Sequence, residues 1–176
     1  MLLETPRLIL RPFLPDDLAG LQEILGDRET MAYCEPPYAP EQTRRFLSGF
    51  CMQEQGAVAA VHRETGRIIG YFLFHPLEPG IIELGWFLNR AFWRQGYAFE
   101  AAQRLIRYAF EDLSARELQA ETADPIRSAG LLQKLGFAPS GPGGPVHLPD
   151  GSLARLVPYV LRRENWPDRP ANGEPV

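Results

Sequence analysis

Cysteine, lysine and long apolar runs are all scarce in this sequence. Its 176 residues include two cysteines, Cys34 and Cys51, which form no CxxC pair, so neither a disulfide framework nor a zinc site is predicted. No stretch reaches the roughly 18 apolar residues that a membrane-spanning helix needs. The opening segment also lacks the basic and apolar runs of a secretion signal. We therefore expect a soluble, cytoplasmic protein with reduced thiols.

Positive charge is limited as well. The formal net charge is -4, the pI is near 5.4, and Lys134 is the only lysine. Because neutralising nucleic-acid phosphates requires a dense basic surface, we expect no nucleic-acid partner. The three histidines lie in separate segments without metal-ligand spacing, so no metal site is predicted. The expected partners are small molecules or peptides, and no membrane.

Length and composition predict one domain with a packed core, since 45% of the residues are hydrophobic. Six short runs are rich in apolar and branched side chains and end at turn signals, which is typical of β-strands. These runs are residues 7–13, 57–62, 67–74, 81–88, 117–122 and 154–161. We predict a domain over residues 1–164 and a polar, proline-rich, flexible tail over residues 165–176.

Apolar residues at helical spacing lie between these runs. Residues 98–113 follow an i, i+3, i+4, i+7 rhythm over about four turns, with charged residues on the opposite face, so they form the strongest predicted helix. Shorter helices are predicted after Asp16 as N-cap, from Pro40, and after Asp124, which is followed by a proline at the first helical position. Strands and helices together indicate an α/β (α+β) fold.

The loop between the strand at residues 81–88 and the long helix ends in Gly96, Tyr97 and Ala98. A helix start exposes unpaired N–H groups and the positive end of the helix dipole, so it can bind an anion. Gly96 would let a diphosphate approach the main chain, and Arg94 would add a charged contact. A Gly-x-Ala at a helix start often reflects tight packing alone, so both interpretations stay open on this motif by itself.

Three longer segments carry a more specific pattern. LGWFLNRAFWRQGYAFEA (residues 84–101) and SAGLLQKLGF (residues 128–137) resemble the two hallmark segments of the GNAT superfamily of N-acetyltransferases. ETPRLILRPFLPDDL (residues 4–18) resembles the start of the RimJ/RimL-like branch, which acetylates ribosomal-protein N termini. The resemblance runs from about Glu4 to Glu164. It implies a mixed, mostly antiparallel sheet of six to seven strands, splayed between strands 4 and 5 and flanked by about four helices.

The resemblance also implies that acetyl-CoA lies in the splayed sheet, with its diphosphate on the start of the long helix. The family's diphosphate loop falls on residues 93–98. The implied CoA-binding residues in it are Arg94, Gln95, Gly96, Tyr97 and Ala98. Trp93 departs from the Gln or Arg at the family's first position, and Arg94 stands where the branch usually has glycine. Phe87 and Leu88 match positions whose backbone pairs with the pantetheine arm.

Two residues are implied to be catalytic. Glu83 matches the carboxylate that takes a proton from the amine, and its apolar neighbours would raise its pKa towards a useful value. A solvent-facing glutamate on an alternating strand is the alternative. Ser128 matches a serine that would hold a water or contact the leaving sulfur, and a helix cap is the alternative. The family's asparagine and its acid tyrosine fall on Pro125 and Leu132.

The acceptor side is expected to be built from the first two helices and the loop at residues 36–38. The predicted wall residues are Tyr33, Tyr38, His75 and Trp86. The predicted reaction is transfer of acetyl from acetyl-CoA to a primary amine, of a peptide, a protein N terminus or a small molecule, in a ternary complex. Two alternatives stay open: a catalytically weak acyl-CoA sensor or scaffold, or an enzyme with another acyl group. A homodimer is also expected of this fold.

Overall fold

The computed structural model of the chain describes residues 1–166. Its strands are β1 (Leu3–Glu4), β2 (Leu8–Pro12), β3 (Ala57–His62), β4 (Ile68–Glu78), β5 (Ile81–Leu88), β6 (Glu117–Thr122), β7 (Ala138–Pro139), β8 (Gly144–His147) and β9 (Leu153–Arg162). Its α-helices are α1 (Leu18–Leu25), α2 (Arg28–Met31), α3 (Pro40–Phe46), α4 (Tyr97–Arg107) and α5 (Arg127–Lys134). The six predicted strands correspond to β2 to β6 and β9.

The strands form one sheet in the order β1-β2-β3-β4-β5-β6-β9-β7, and β8 forms a hairpin with β9. All described neighbours are antiparallel except β5 and β6, which run parallel. The predicted α/β fold with a mixed, mostly antiparallel sheet is confirmed. The described chain has nine strands instead of six or seven, because β1, β7 and β8 contain only two to four residues and leave no alternating pattern to read.

Helices cover both faces of the sheet, so that two apolar cores form. One core contains α4 and α5, and the other contains α1 and α3. All six side chains of β3 are buried because alternate residues belong to the two cores, Val58 to the first and Ala59 to the second. On β6 only one face is buried: Leu118 is in the first core, whereas Glu121 is exposed. The second face of β6 is therefore open.

The long helix begins at Tyr97 and ends in a wider π-helical segment, Tyr108–Asp112, which completes the predicted helix over residues 98–113. Its buried face is fully apolar, with Leu105 and Ile106 inaccessible to solvent. Burial of two such side chains contributes roughly 3–6 kcal/mol before entropy costs. Packing of this face against the sheet fixes where the start of α4 lies.

The prediction that Asp16 caps the first helix is wrong. A 3-10 turn, Pro15–Asp17, precedes α1, and the buried Asp17 is the residue that holds this junction. Its carboxylate accepts hydrogen bonds from the Leu14 amide at 2.7 Å and from both terminal nitrogens of Arg11 at 2.7 and 2.9 Å. Asp16 is exposed, since the extra turn rotates it away from the unpaired amides.

The end of the predicted domain is structured as far as it is described. The predicted tail begins at Asn165, which closes a 3-10 turn, and the Trp166 ring lies 5.4 Å from the Phe110 ring, centroid to centroid. The rest of the predicted tail, residues 167–176, lies outside the described residues. Of the helices described, none combines the length and apolarity needed to cross a bilayer.

Replacing Asp17 should destabilise the fold far more than replacing its neighbour. Asp17→Ala leaves the Arg11 guanidinium and the Leu14 amide without their acceptor, so we expect a loss of about 3 kcal/mol in the free energy of unfolding. Asp16→Ala is the matched control, with an expected change within about 0.5 kcal/mol. Urea denaturation of both variants measures this, and equal losses would contradict the assigned role of Asp17.

Candidate active site

The site is built around a gap between β5 and β6. These strands pair at only three positions, from Ile81 with Glu117 to Glu83 with Gln119. Beyond Glu83, β5 stays paired with β4 as far as Leu88, and β6 stays paired with β9. The facing edges therefore separate, which is the predicted splay. The separating strands are the fifth and sixth of the chain, and not the predicted fourth and fifth, because the short strand β1 precedes them.

The hydrogen-bond phase of β5 determines which backbone groups face the gap. The Asn89 amide donates to the Ile69 carbonyl on the β4 side at 2.8 Å. Because antiparallel neighbours alternate between bonded and non-bonded pairs, the N–H and C=O of Phe87 point to β4, whereas those of Trp86 and Leu88 point into the gap. The backbone groups that face the gap are therefore those of Trp86 and Leu88, and the predicted pairing of the pantetheine arm with Phe87 conflicts with the hydrogen bonding of Phe87 to β4.

A cavity of about 570 Å³ runs through this gap. The predicted site residues that line it are Tyr33, Glu83, Trp86, Phe87, Leu88, Arg94, Gly96, Tyr97, Ala98 and Ser128. They come from the α2–α3 loop, β5, the start of α4 and the start of α5. Across residues 1–166, no three His, Cys, Asp or Glu side chains are grouped as a metal ion would require.

Three predicted site residues lie outside the cavity wall. The Gln95 side chain folds back onto the main chain of its own loop. Tyr38 donates its hydroxyl hydrogen to Glu35 at 2.7 Å and packs in the second core. His75 lies opposite Glu83 on β4, with its ring 5.7 Å from that of Phe50 on the α3 side. For His75, which is on a strand, the alternation of the sequence shows which face the side chain occupies but not which neighbouring helical segment covers it.

Unpaired amides converge at the start of α4. Gly96 precedes the helix with φ 81°, a left-handed conformation that favours glycine. Within residues 1–166, the main-chain N–H groups of Tyr97, Ala98 and Phe99 have no hydrogen-bond acceptor. Gly96 and Ala98 line the cavity, so these donors and the positive end of the helix dipole lie at its mouth. This arrangement can bind a diphosphate.

Trp93 has a function that the sequence pattern did not predict. Its indole N–H donates to the Leu88 carbonyl at 2.8 Å, which occupies one of the acceptors facing the gap. The Arg127 guanidinium lies over the indole, 4.6 Å from the ring centroid, and its Nε donates to Asp124 at 2.7 Å. A cation–π contact therefore connects the β5 side of the gap to the start of α5. Arg127 also lines the cavity.

Glu83 lies where the strands begin to separate, and its pKa is raised above the ordinary value. Partial burial is the main cause, the negative charge of Glu121 adds to it, and His75 opposes it. Glu83 and Glu121 also line a shallower cavity of about 280 Å³ on the open face of β6. Glu121 is not among the predicted site residues. The alternation of residues 117–122 places it on the same face of β6 as Gln119, which pairs with Glu83, and this is the signal that could have indicated it.

The start of α5 leaves Ser128 available to the cavity. The helix α5 begins at Arg127 with Ile126 as its N-cap, so the prediction of Asp124 as N-cap and Pro125 at the first helical position is wrong. Asp124 holds the preceding turn, because its carboxylate accepts hydrogen bonds from the amides of Ile126 at 3.0 Å and Arg127 at 2.9 Å. No partner within the described chain bonds the Ser128 hydroxyl, so this serine is not a cap. Leu132 is 1% exposed in the first core, so the position of the family's tyrosine carries no acidic hydroxyl.

Known proteins resemble this chain over most of its length. The family model for the acetyltransferase (GNAT) domain matches residues 7–138. FsC-acetyl coenzyme A-N(2)-transacetylase of Aspergillus fumigatus is 48% identical over 185 aligned positions, which cover 93% of this chain and 77% of that protein. A GNAT-family acetyltransferase from Bacillus anthracis superposes with a TM-score of 0.81 at 22% identity, covering 93% of this chain and 99% of that one.

Ribosomal-protein-S5-alanine acetyltransferase from Vibrio fischeri superposes with a TM-score of 0.78 at 14% identity, covering 95% of this chain and 99% of that one. At such low identity, this likeness and that to the Bacillus anthracis structure establish the fold alone. Both structures cover more than nine tenths of this chain.

The backbone at Arg94 allows a direct test of the loop's conformation. Arg94 has φ 60°, which a glycine adopts without the steric cost that a Cβ brings. Arg94→Gly and Arg94→Ala both remove the guanidinium, so they differ in this steric cost and in the larger unfolded-state entropy of glycine, which offsets only part of it. We expect the glycine variant to be more stable by about 1 kcal/mol in thermal and urea unfolding. An alanine variant of equal stability would mean that the loop does not hold this conformation.

Proposed function

The chain belongs to the GNAT acetyltransferase family, and from this membership we propose that it transfers the acetyl group of acetyl-CoA to a primary amine. The observation that carries the proposal is the gap between β5 and β6, with unpaired amides of α4 at its mouth and a raised-pKa carboxylate at its inner end. The donor, the acceptor and the residue roles below are parts of this proposal.

The residues at the gap fit coenzyme A. The amides of Tyr97 and Ala98 would bind the diphosphate, and the exposed Arg94 adds positive charge beside them. The gap-facing N–H and C=O of Trp86 and the N–H of Leu88 would pair with the amides of the pantetheine arm, much as an added strand does. The relative from Aspergillus fumigatus, whose name specifies acetyl coenzyme A, supports the same donor.

Glu83 is proposed to prepare the amine. An ammonium group at neutral pH must lose a proton before its nitrogen can attack a thioester. A carboxylate with a raised pKa accepts that proton more readily than an ordinary glutamate does. Glu121 contributes a second negative charge that attracts the cation and keeps the pKa of Glu83 high. The proton thus passes from the nitrogen to a Glu83 carboxylate oxygen, directly or through one water.

The leaving thiolate needs little help. A thiol of ordinary pKa is an acceptable leaving group, so the reaction can proceed without the tyrosine that Leu132 replaces. The Ser128 hydroxyl, free of other partners in the described chain, would hold a water that returns a proton to the sulfur. These roles make the protein's contribution mainly one of positioning and electrostatics.

A peptide or protein N terminus is the acceptor that we favour. Glu83 of β5 and Glu121 of β6 lie on the open face beside the gap, and their negative charge suits a cationic substrate. The opening segment that resembles the RimJ/RimL-like branch supports the same class, as does the fold shared with the ribosomal-protein acetyltransferase. A cytoplasmic location and a homodimer remain predictions from the sequence.

A catalytically weak acyl-CoA sensor is the second candidate. Pro125 and the buried Leu132 favour it, because they remove an amide and a hydroxyl that many relatives place near the thioester. Calorimetry with acetyl-CoA, followed by a thiol-release assay with peptides that have free N termini, separates the two candidates. Binding with thiol release supports the enzyme, and binding without release across the peptides supports the sensor.

A side chain at Gly96 should block the diphosphate site. Gly96→Trp puts an indole at the mouth of the cavity, so we expect no detectable acetyl-CoA binding by calorimetry. Gly66→Trp is a matched control, because Gly66 also has a positive φ of 66° and a Cβ there meets nothing within 4 Å. Both variants should lose similar stability, but only the first should lose binding. Normal affinity in Gly96→Trp would remove the diphosphate site from the proposal.

Neutralising Glu83 should stabilise the fold while it slows turnover. A raised pKa in the folded state favours folding at low pH, and this contribution is lost as the pH rises through that pKa. At pH 7 the ionised Glu83 is therefore a cost, so Glu83→Gln should raise the unfolding midpoint. Glu117, whose pKa is lowered by Gln119 and then by Arg162, should show the opposite change in Glu117→Gln.

The pH profile of turnover gives the matching kinetic test. Activity should fall on acidification as Glu83 takes up a proton. Glu121→Gln removes a neighbouring negative charge, so it should lower the pKa of Glu83 and move the acid limb to lower pH. An acid limb that stays in place in Glu121→Gln, or persists in Glu83→Gln, would exclude Glu83 as the proton acceptor.

A further inference from the structure

The segment before β2 is joined to the first turn of α4 by a compact polar cluster. The Glu100 carboxylate accepts hydrogen bonds from the Thr5 hydroxyl at 2.6 Å, from the Arg7 amide at 2.9 Å and from Arg7 Nε at 2.6 Å. Thr5 is buried, and the Glu100 side chain is only 15% exposed. Charge-assisted hydrogen bonds of this length and burial are among the stronger polar contacts in proteins.

Arg7 also holds the loop that precedes α4. Its Nη1 donates to the Gln95 carbonyl at 2.9 Å, and its guanidinium carbon lies 4.1 Å from the centroid of the Tyr97 ring. A Cβ at Gly96 would lie 3.4 Å from Arg7 Nη2. One guanidinium therefore contacts Gln95 and Tyr97, the residues on either side of Gly96, where the unpaired amides begin. The Tyr97 hydroxyl is held in turn by His62 Nε2 at 3.0 Å.

This loop needs such support for two physical reasons. Arg94 has a positive φ, which costs energy in a non-glycine residue and persists only when surrounding contacts enforce it. Glu100 also brings a negative charge to the same helix turn that would bind a diphosphate. Arg7 pairs with that charge, so the site's field stays favourable for an anion. Loss of Arg7 would both release the loop and expose the carboxylate.

We propose that Arg7, with Thr5 and Glu100 behind it, is a positioning residue for the diphosphate of the acyl donor. The inference rests on the proposed function, since it assumes that the α4 amides bind this group. This role also explains the presence of Thr5 and Arg7 in the opening segment. Both residues act through the loop before α4 and touch no reacting atom. Direct contact of Arg7 with the thioester is not part of the proposal.

Calorimetry of the whole chain with CoA tests the proposal. Arg7→Gln should raise the Kd for CoA roughly tenfold, the effect of one hydrogen bond to a charged group. Arg7→Lys keeps the positive charge, but a single ammonium cannot bond the Glu100 carboxylate and the Gln95 carbonyl at the same time. This variant should therefore show most of the same loss of CoA affinity. Arg44→Gln is the control, because its ion pair with Glu41 at 3.5 Å is exposed and lies within α3. Full affinity in Arg7→Lys would overturn the positioning role.

Kinetics separate this role from a general loss of structure. The KM for acetyl-CoA should rise in Arg7→Gln while kcat stays within about a factor of two. Turnover with acetyl-pantetheine, which carries no diphosphate, should be unchanged, and an equal loss with both donors would overturn the inference. If the wild-type chain fails to bind CoA, the proposed function fails. If it binds and Arg7→Gln binds equally well, only the positioning role fails.

Discussion

The separation of β5 from β6 after three paired positions is the constraint on which the rest of the site depends. Each strand keeps its outer neighbour, so neither can move to close the gap without breaking a ladder. The N–H and C=O of Trp86 and the N–H of Leu88 consequently face the gap without a strand partner, and unpaired polar groups of this kind favour an extended ligand. The start of α4 lies at the mouth of the gap and Glu83 at its inner end, so one opening brings anion donors and a proton acceptor to the same cavity.

Much of this arrangement could be predicted from the sequence because it follows from local periodicity. The change from period two to period 3.6 after Leu88 defined β5, the loop and α4 nearly to the residue. A glycine before a long amphipathic helix predicted the unpaired amides, since helix starts always leave them. The apolar neighbours of Glu83 predicted the direction of its pKa shift, and the structure has the same direction. Its role as proton acceptor stays a prediction.

The remaining features depend on contacts that no local pattern contains. The contact of Arg7 with Glu100 joins positions far apart in the chain, and it forms because the segment before β2 packs beside the first turn of α4. Whether Phe87 or Trp86 directs its backbone N–H and C=O into the gap depends on the hydrogen-bond pairing of β4 with β5. A shift of one residue in that pairing would reverse the two. Tyr38 packs against Phe46 of α3 in the second core, and His75 lies beside Phe50 of the helical segment that follows α3.

A site of this kind cannot be stabilised by the hydrogen-bond ladder that stabilises the rest of the sheet. It contains a non-glycine residue with positive φ, a carboxylate with a raised pKa and several unpaired amides, each of which costs stability. Two arginines near the site supply compensating contacts: Arg7 pairs with Glu100, and Arg127 bonds Asp124 while it lies over Trp93. A planar guanidinium can bond a carboxylate and still stack on a ring or bond a carbonyl, whereas an ammonium on a flexible stem cannot hold two such contacts in one geometry. The contact of Arg127 with Trp93 connects the two sides of the gap, so this side-chain contact and the three paired positions of β5 and β6 together hold the two halves of the sheet in place.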